Sequence, residues 1–233
     1  MTQLQQVATD VWTAEGPVVS FFGLPFPTRM VVVRCEQGLW VWSPIELTPE
    51  LEAAIDEIGV VCWVATPNKL HHLFVAPWLA AYRDSIAYAP PGLAPKRTDI
   101  TFRATLGDER IAEWGDELAH VVVRGSIVDE VLYLHRPSRT CIVGDLIIRQ
   151  DPSTMNRLQR GFTAANNMLG PNGSTPREWR ATFLARGQAR DALRTALGWE
   201  PQRVIIAHGA CELQDGAAML ERSLSWITKP WPM

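Results

Sequence analysis

Residues 61–72 read VCWVATPNKLHH, and the fold turns on how that stretch is read. From Val60 to Thr66 the chain is an almost unbroken apolar run with β-branched residues. It is short enough to be a strand buried on both faces. At Pro67 the pattern stops, and Asn68, Lys69, His71 and His72 follow within a few residues. In an α/β sheet, functional side chains gather where strands release the chain at their carboxyl ends.

The same event recurs twice further on. The run Cys141-Ile142-Val143 leads into Gly144-Asp145, and Val204-Ile205-Ile206-Ala207 leads into His208-Gly209. Three of the five histidines and one aspartate thus stand at ends of apolar strands. Imidazole and carboxylate together suit Zn²⁺, Fe²⁺ or Mn²⁺, and a cluster without thiolate is more often catalytic than structural. Each residue also has an ordinary reading: a histidine pair at a helix entrance, a Gly-Asp turn, a histidine that packs or bonds a carbonyl. Neighbours in a helix diverge by about 100°, so His71 and His72 face one ion only where the chain is irregular.

Between these strands the elements alternate. Val18–Gly23, Met30–Arg34 and Leu39–Trp42 read as strands. Thr48 caps a helix with Pro49 at its first position and Glu50 and Glu52 in its first turn; Gly59 ends it. LFVAPWLAAYRD (73–84) reads as helical and IAYAP as a strand. ITFRATLGD (100–108), LAHVVVRG and EVLYLH are β, the last joined to TCIVGDLI by the hairpin signal RPSR. Thr175-Pro176-Arg177-Glu178 reads as a capping box opening a helix that Gly198 closes, and GAAMLERSLSWI forms the last helix. Strand-helix-strand in both halves, with hairpins between and no linker rich in Pro, Gly or Ser, indicates an α/β class with mixed sheets covered by helices. One domain over residues 1–233 is the simplest reading.

Composition narrows the function. The 233 residues are 47% hydrophobic and 20% charged, ordinary for a globular protein and unlike a disordered chain. A net charge of -3 without a dense basic run speaks against nucleic acid. No stretch approaches the ~20 apolar residues that span a bilayer, and the N-terminus lacks a signal-peptide pattern. Four scattered cysteines without a CxxC pair fit a reducing compartment, so a cytoplasmic location is expected. Ten tryptophans point to a core built on large rings, with Trp12, Trp40, Trp42 and Trp63 read as core. His120 and His135 are expected to be exposed or hydrogen-bonded. Lys96 and Arg97 sit in a loop suited to an anion-binding rim, although the ordinary reading of such a pair is a solvated one. No GxGxxG, Walker loop or GxSxG elbow is present.

The order of these pieces resembles the metallo-β-lactamase superfamily, whose metal motif T-H-x-H-x-D-H follows a buried strand. Thr66 to His72 aligns with it as T-P-N-K-L-H-H. The chain resembles more closely a divergent branch that carries T-P-N-x-x-H-H. The resemblance implies a four-layer αβ/βα sandwich of two mixed β-sheets with metals at one edge. It matches His72 to the motif's last histidine, Asp145 to its bridging aspartate and His208 to its final histidine, while His71 stands where the family has Asp. Pro67 and Lys69 replace the two first-site histidines, and a third, due near Gly125, is missing. The resemblance therefore implies one divalent ion, zinc before iron or manganese, held by His71, His72, Asp145 and His208. Asp145 would also serve the reacting water and Lys69 a developing oxyanion. The substrate implied is a small ester, lactone, thioester or phosphoester. The alternative is a metal-free member of the fold that acts as a binding or structural module.

Overall fold

The computed structural model describes residues 3–21, 24–184 and 186–228. Seven strands form one sheet in sequence order: β1 (Gln5–Ala8), β2 (Val11–Phe21), β3 (Leu24–Cys35), β4 (Gly38–Trp42), β5 (Val61–Ala65), β6 (Ile86–Ala89) and β7 (Ala104–Thr105). The pairs from β1 to β4 are antiparallel, and those from β4 to β7 are parallel. A second sheet of β8 (Leu118–Val123), β9 (Glu130–His135), β10 (Thr140–Arg149) and β11 (Arg203–Gly209) has the order β11-β10-β9-β8. Only its β10–β11 pair is parallel.

Side chains alternate across a strand, and here both faces of both sheets are apolar. In β3, Val31 and Val33 point to the space between the sheets, where they meet Trp40, Trp42, Val131, Tyr133, Ile142 and Ile205. Met30 and Val32 point the other way, onto α1 (Pro49–Ile58) through Leu51 and Ile55 and onto α2 (Val75–Ala81) through Val75 and Trp78. The outer face of the second sheet packs on α5 (Gly187–Gly198) and α6 (Gly216–Thr228) through Ala189, Leu193, Leu220 and Leu224. The result is helix, sheet, sheet, helix: the four-layer sandwich that the resemblance implies. Thr48 caps α1 as read, its hydroxyl accepting from Leu51 N at 3.3 Å. Trp40, Trp42 and Trp63 are core residues.

Several elements differ from the sequence reading. The strand expected over ITFRATLGD shrinks to Ala104–Thr105, a short edge strand of the kind that resists further pairing. The helix expected over residues 73–84 spans Val75–Ala81. The capping box at Thr175 does not form. Thr175 is fully buried, donates to the Leu146 carbonyl at 2.6 Å and accepts from Trp226 Nε1 at 2.9 Å, so its hydroxyl is committed elsewhere. Pro176 takes the cap position of a short helix, α4 (Arg177–Ala181), and α5 follows separately. A helix with a true capping box, α3 (Arg157–Ala165), lies earlier, with Asn156 and Gln159 bonding each other's backbone. The expected Val18–Gly23 strand is the end of β2 as far as Phe21; Phe22 and Gly23 lie outside the described residues. Among the described residues no helix is long and apolar enough to cross a membrane.

Candidate metal centre

The loop after β5, the middle of β10 and the end of β11 meet at one edge of the two sheets. β10 and β11 pair regularly up to Val143↔Ile206, and pairing resumes only at Ile148↔His208. Residues 144–147 therefore bow out of the ladder as a bulge, a device that re-aims side chains beside functional sites. Gly144 permits the bow: a Cβ there would lie 2.6 Å from Pro67 Cβ and 3.1 Å from Glu130 Oε2. The freed backbone groups are taken up by side chains. Glu130, at the head of β9, accepts from Gly144 N at 3.0 Å, Asp145 N at 2.8 Å and Leu146 N at 3.1 Å.

The bulge delivers the Asp145 carboxylate between two imidazoles. His208 Nε2 lies 2.9 Å from its Oδ1, and His71 Nε2 lies 3.2 Å from its Oδ2. Asn68 Nδ2 donates to the same Oδ2 at 2.9 Å. Donor atoms of His71, Asp145 and His208 all lie within 4.8 Å of one another. That is the scale set by two ~2 Å ligand bonds meeting at one ion. His208 Nδ1 donates to the Pro27 carbonyl at 2.7 Å, and His71 Nδ1 faces Ser43 Oγ at 2.8 Å.

These remote bonds test whether the residues suit a metal. A carbonyl only accepts, so the Nδ1 proton of His208 is fixed and its Nε2 carries a lone pair toward Asp145 in the neutral ring. Two acceptors 2.9 Å apart need a second proton on the imidazole or a cation between them. The Ser43 hydroxyl can likewise accept from Nδ1 of His71 and turn its Nε2 lone pair inward. Second partners that orient metal-binding imidazoles in this way are a regular feature of metal sites, so the donor set fits one ion. Ser43 holds its place with φ of 49°, in the left-handed region, directly after β4.

Burial by itself disfavours the charged form of Asp145, but the two imidazoles outweigh it and hold the carboxyl well below the usual range. For Glu130, burial and then the Asp145 charge push the pKa up, but the N–H groups of Gly144, Asp145, Leu146 and Asn68 that face its oxygens favour the carboxylate. Asn68 Nδ2 spans the two carboxylates, at 3.1 Å from Glu130 Oε2 and 2.9 Å from Asp145 Oδ2.

The structure brings His71, Asp145 and His208 together and leaves two other expected residues outside the group. His72, matched to the last histidine of the motif, is turned away: Arg97 donates to its Nδ1 at 3.0 Å and to its carbonyl at 2.8 Å. Burial and the nearby Lys96 and Arg97 lower its pKa. Lys69 is also elsewhere, its ammonium donating to the Ile127 carbonyl at 2.8 Å. Arg97 is spent on His72 and on a salt bridge to Asp99 rather than on an open rim. The loop is irregular because Asn68 Oδ1 accepts from Leu70 N and the Asn68 carbonyl from His71 N, which separates the two histidines. Asn68, Glu130, Ser43 and Pro27 were not singled out in the sequence. An acidic residue opening a strand otherwise apolar, as Glu130 does, was the one signal available.

The comparisons agree with this architecture. Residues 9–169 match the family described as Domain of unknown function (DUF4336), and the chain belongs to that family. No curated protein matches the chain. Among solved structures it is similar to a metallo-beta-lactamase from Pontibacter korlensis, with 14% identity and a TM-score of 0.65 over 99% of this chain and 100% of that one. A metallo-beta-lactamase from Hirschia baltica is similar at 13% identity and a TM-score of 0.65, over 99% of each chain. The FIM-1 metallo-beta-lactamase from Pseudomonas aeruginosa, solved in a mono-zinc form, is similar at 12% identity and a TM-score of 0.62, over 97% of this chain and 95% of that one. Identities this low establish a shared fold.

Proposed function

We propose that the protein is a metal-dependent hydrolase with one divalent ion, zinc in the first instance, held by His71, Asp145 and His208. The observation that carries this reading is the pair of outer hydrogen bonds, from Nδ1 of His208 to Pro27 O and between Nδ1 of His71 and Ser43 Oγ, which aim both Nε2 atoms at one carboxylate. A divalent ion bound there supplies a water of lowered pKa and polarises a carbonyl or phosphoryl oxygen. Asp145 contributes the only negative charge among the three donors, and Asn68 fixes its Oδ2 while Oδ1 faces His208, so the carboxylate is held at the place where the reacting water would give up a proton. Asp145 and His208 are buried and His71 is nearly so, which limits competing water. A small ester, lactone, thioester or phosphoester fits this chemistry.

One observation favours a second reading. Asp145 has both oxygens already partnered, by His208 on Oδ1 and by His71 and Asn68 on Oδ2, so a protonated imidazole can complete the network without metal. Elemental analysis of the purified protein separates the two. About one equivalent of zinc, iron or manganese that is lost from a His71→Ala, His208→Ala double variant supports the hydrolase; a metal-free protein that takes up none from buffered zinc supports the closed network.

A further inference from the structure

The triad opens into a cavity of about 730 Å³, far larger than an ion and its water require. Away from the triad most of its wall is apolar, with a few polar side chains such as Thr28 and Asn166 among them. Phe26, Ile148 and Met168 are buried side chains packed as a small cluster of their own, separate from the three main cores, and all three line this cavity. Phe162 and Leu73 also line it, yet keep 53% and 61% of their surface exposed. Large apolar side chains left open at the walls of one cavity mark a surface that something covers. Leu158, one turn before Phe162 on α3, is 87% exposed, so that helix turns an apolar stripe outward beside the cavity. The lining also holds Lys96 and Glu178, one charge of each sign, so charge alone does not select the ligand.

We propose that this cavity receives an amphipathic acyl compound, its hydrocarbon part lying on Phe26, Met168, Phe162 and Leu73 and its carbonyl end at His71, Asp145 and His208. The orientation rests on the hydrolase reading; the hydrocarbon selectivity rests on the walls. Among the substrate classes open to the triad, the walls select esters, lactones or thioesters of a hydrocarbon acid over small polar phosphoesters. A compound with only a polar head would leave the Phe26–Ile148–Met168 surface wet, whereas each methylene laid on it gains transfer free energy.

The test is calorimetric binding of butanoate, hexanoate, octanoate and decanoate to the protein as purified, each standing for the acid product of such an ester. The slope with chain length cancels whatever the head group contributes. Affinity is expected to rise about fourfold per methylene. Phe162→Asp and Leu73→Asp, both at exposed positions where folding is not at stake, are expected to flatten that slope. Equal affinity across the series, no binding by any member, or an unchanged slope in both variants overturns the proposal. A steep slope in a protein that holds no metal defeats the hydrolase reading and leaves the cavity's selectivity standing; metal without a slope does the reverse.

Discussion

The Glu130 carboxylate accepts the backbone N–H of Asp145 at 2.8 Å and, through the same Oε2, an Asn68 hydrogen whose twin goes to the Asp145 carboxylate. Asp145 is therefore placed from both ends, its main chain by Glu130 directly and its side chain by way of Asn68. Every group close to Glu130 in this network is a donor apart from Asp145 itself. Glu130→Gln keeps the shape but turns an NH₂ group toward those N–H groups. The variant should lose about 3 kcal/mol of stability, the scale for breaking a buried polar network. In a chain of this size that lowers Tm by roughly 6–12 °C, readable in a thermal melt. An unchanged Tm would mean that the bulge does not depend on Glu130.

Asp145→Asn is isosteric and removes the one negative charge among the three donors. Metal affinity should fall by more than the ~10–100-fold that loss of an outer partner costs. Competition with a chromophoric chelator measures it. Retention of parental affinity would make Asp145 an ordinary bulge residue.

Ser43→Ala leaves all three donors in place and removes the partner of His71 Nδ1. The ring then loses its fixed orientation, and metal affinity should drop by ~10–100-fold with little change in the folded chain. The same chelator competition, read beside a far-ultraviolet circular dichroism spectrum, distinguishes this from unfolding.

Burial lowers the pKa of His120, whose Nε2 donates to the Gly107 carbonyl at 3.0 Å, below its ordinary 6.5. The unfolded chain therefore binds the proton first as pH falls, and stability declines as pH drops through about 6.5. His120→Gln keeps a donor for Gly107 and takes no proton. Urea midpoints at pH 7.5 and 5.5 should fall less in the variant than in the parent. An equal fall would mean that His120 is protonated in the folded state without penalty.

What was legible in the sequence followed from local pattern. His208 and Asp145 stood out because each interrupts an apolar run next to a glycine; the alternation of strands and helices indicated mixed sheets covered by helices, and the four layers came from the family resemblance. The choice between His71 and His72 was not legible. It depends on the turn that Asn68 makes with its own side chain, which no periodicity encodes. Thr175 read as a cap because its neighbours Pro176 and Glu178 suit a helix start, but the nearby bulge and Trp226 compete for its hydroxyl and win. Glu130 and Ser43 act through contacts with residues distant in sequence, 14 residues away for Gly144 and 28 for His71.

Pro67 stands where the resembling family has the first histidine of its motif, and its ring has found other employment. It fills the hollow that a Cβ on residue 144 would need, and its carbonyl accepts from Val131 N at 2.7 Å, tying the loop to β9. Position 67 is thus a keystone of the bulge rather than a vacancy. An imidazole introduced there would disturb the placement of Asp145 before it could bind anything. Building a second metal position at residue 67 would therefore take more than a Pro67→His exchange, because the 144–147 bulge would have to be rebuilt at the same time.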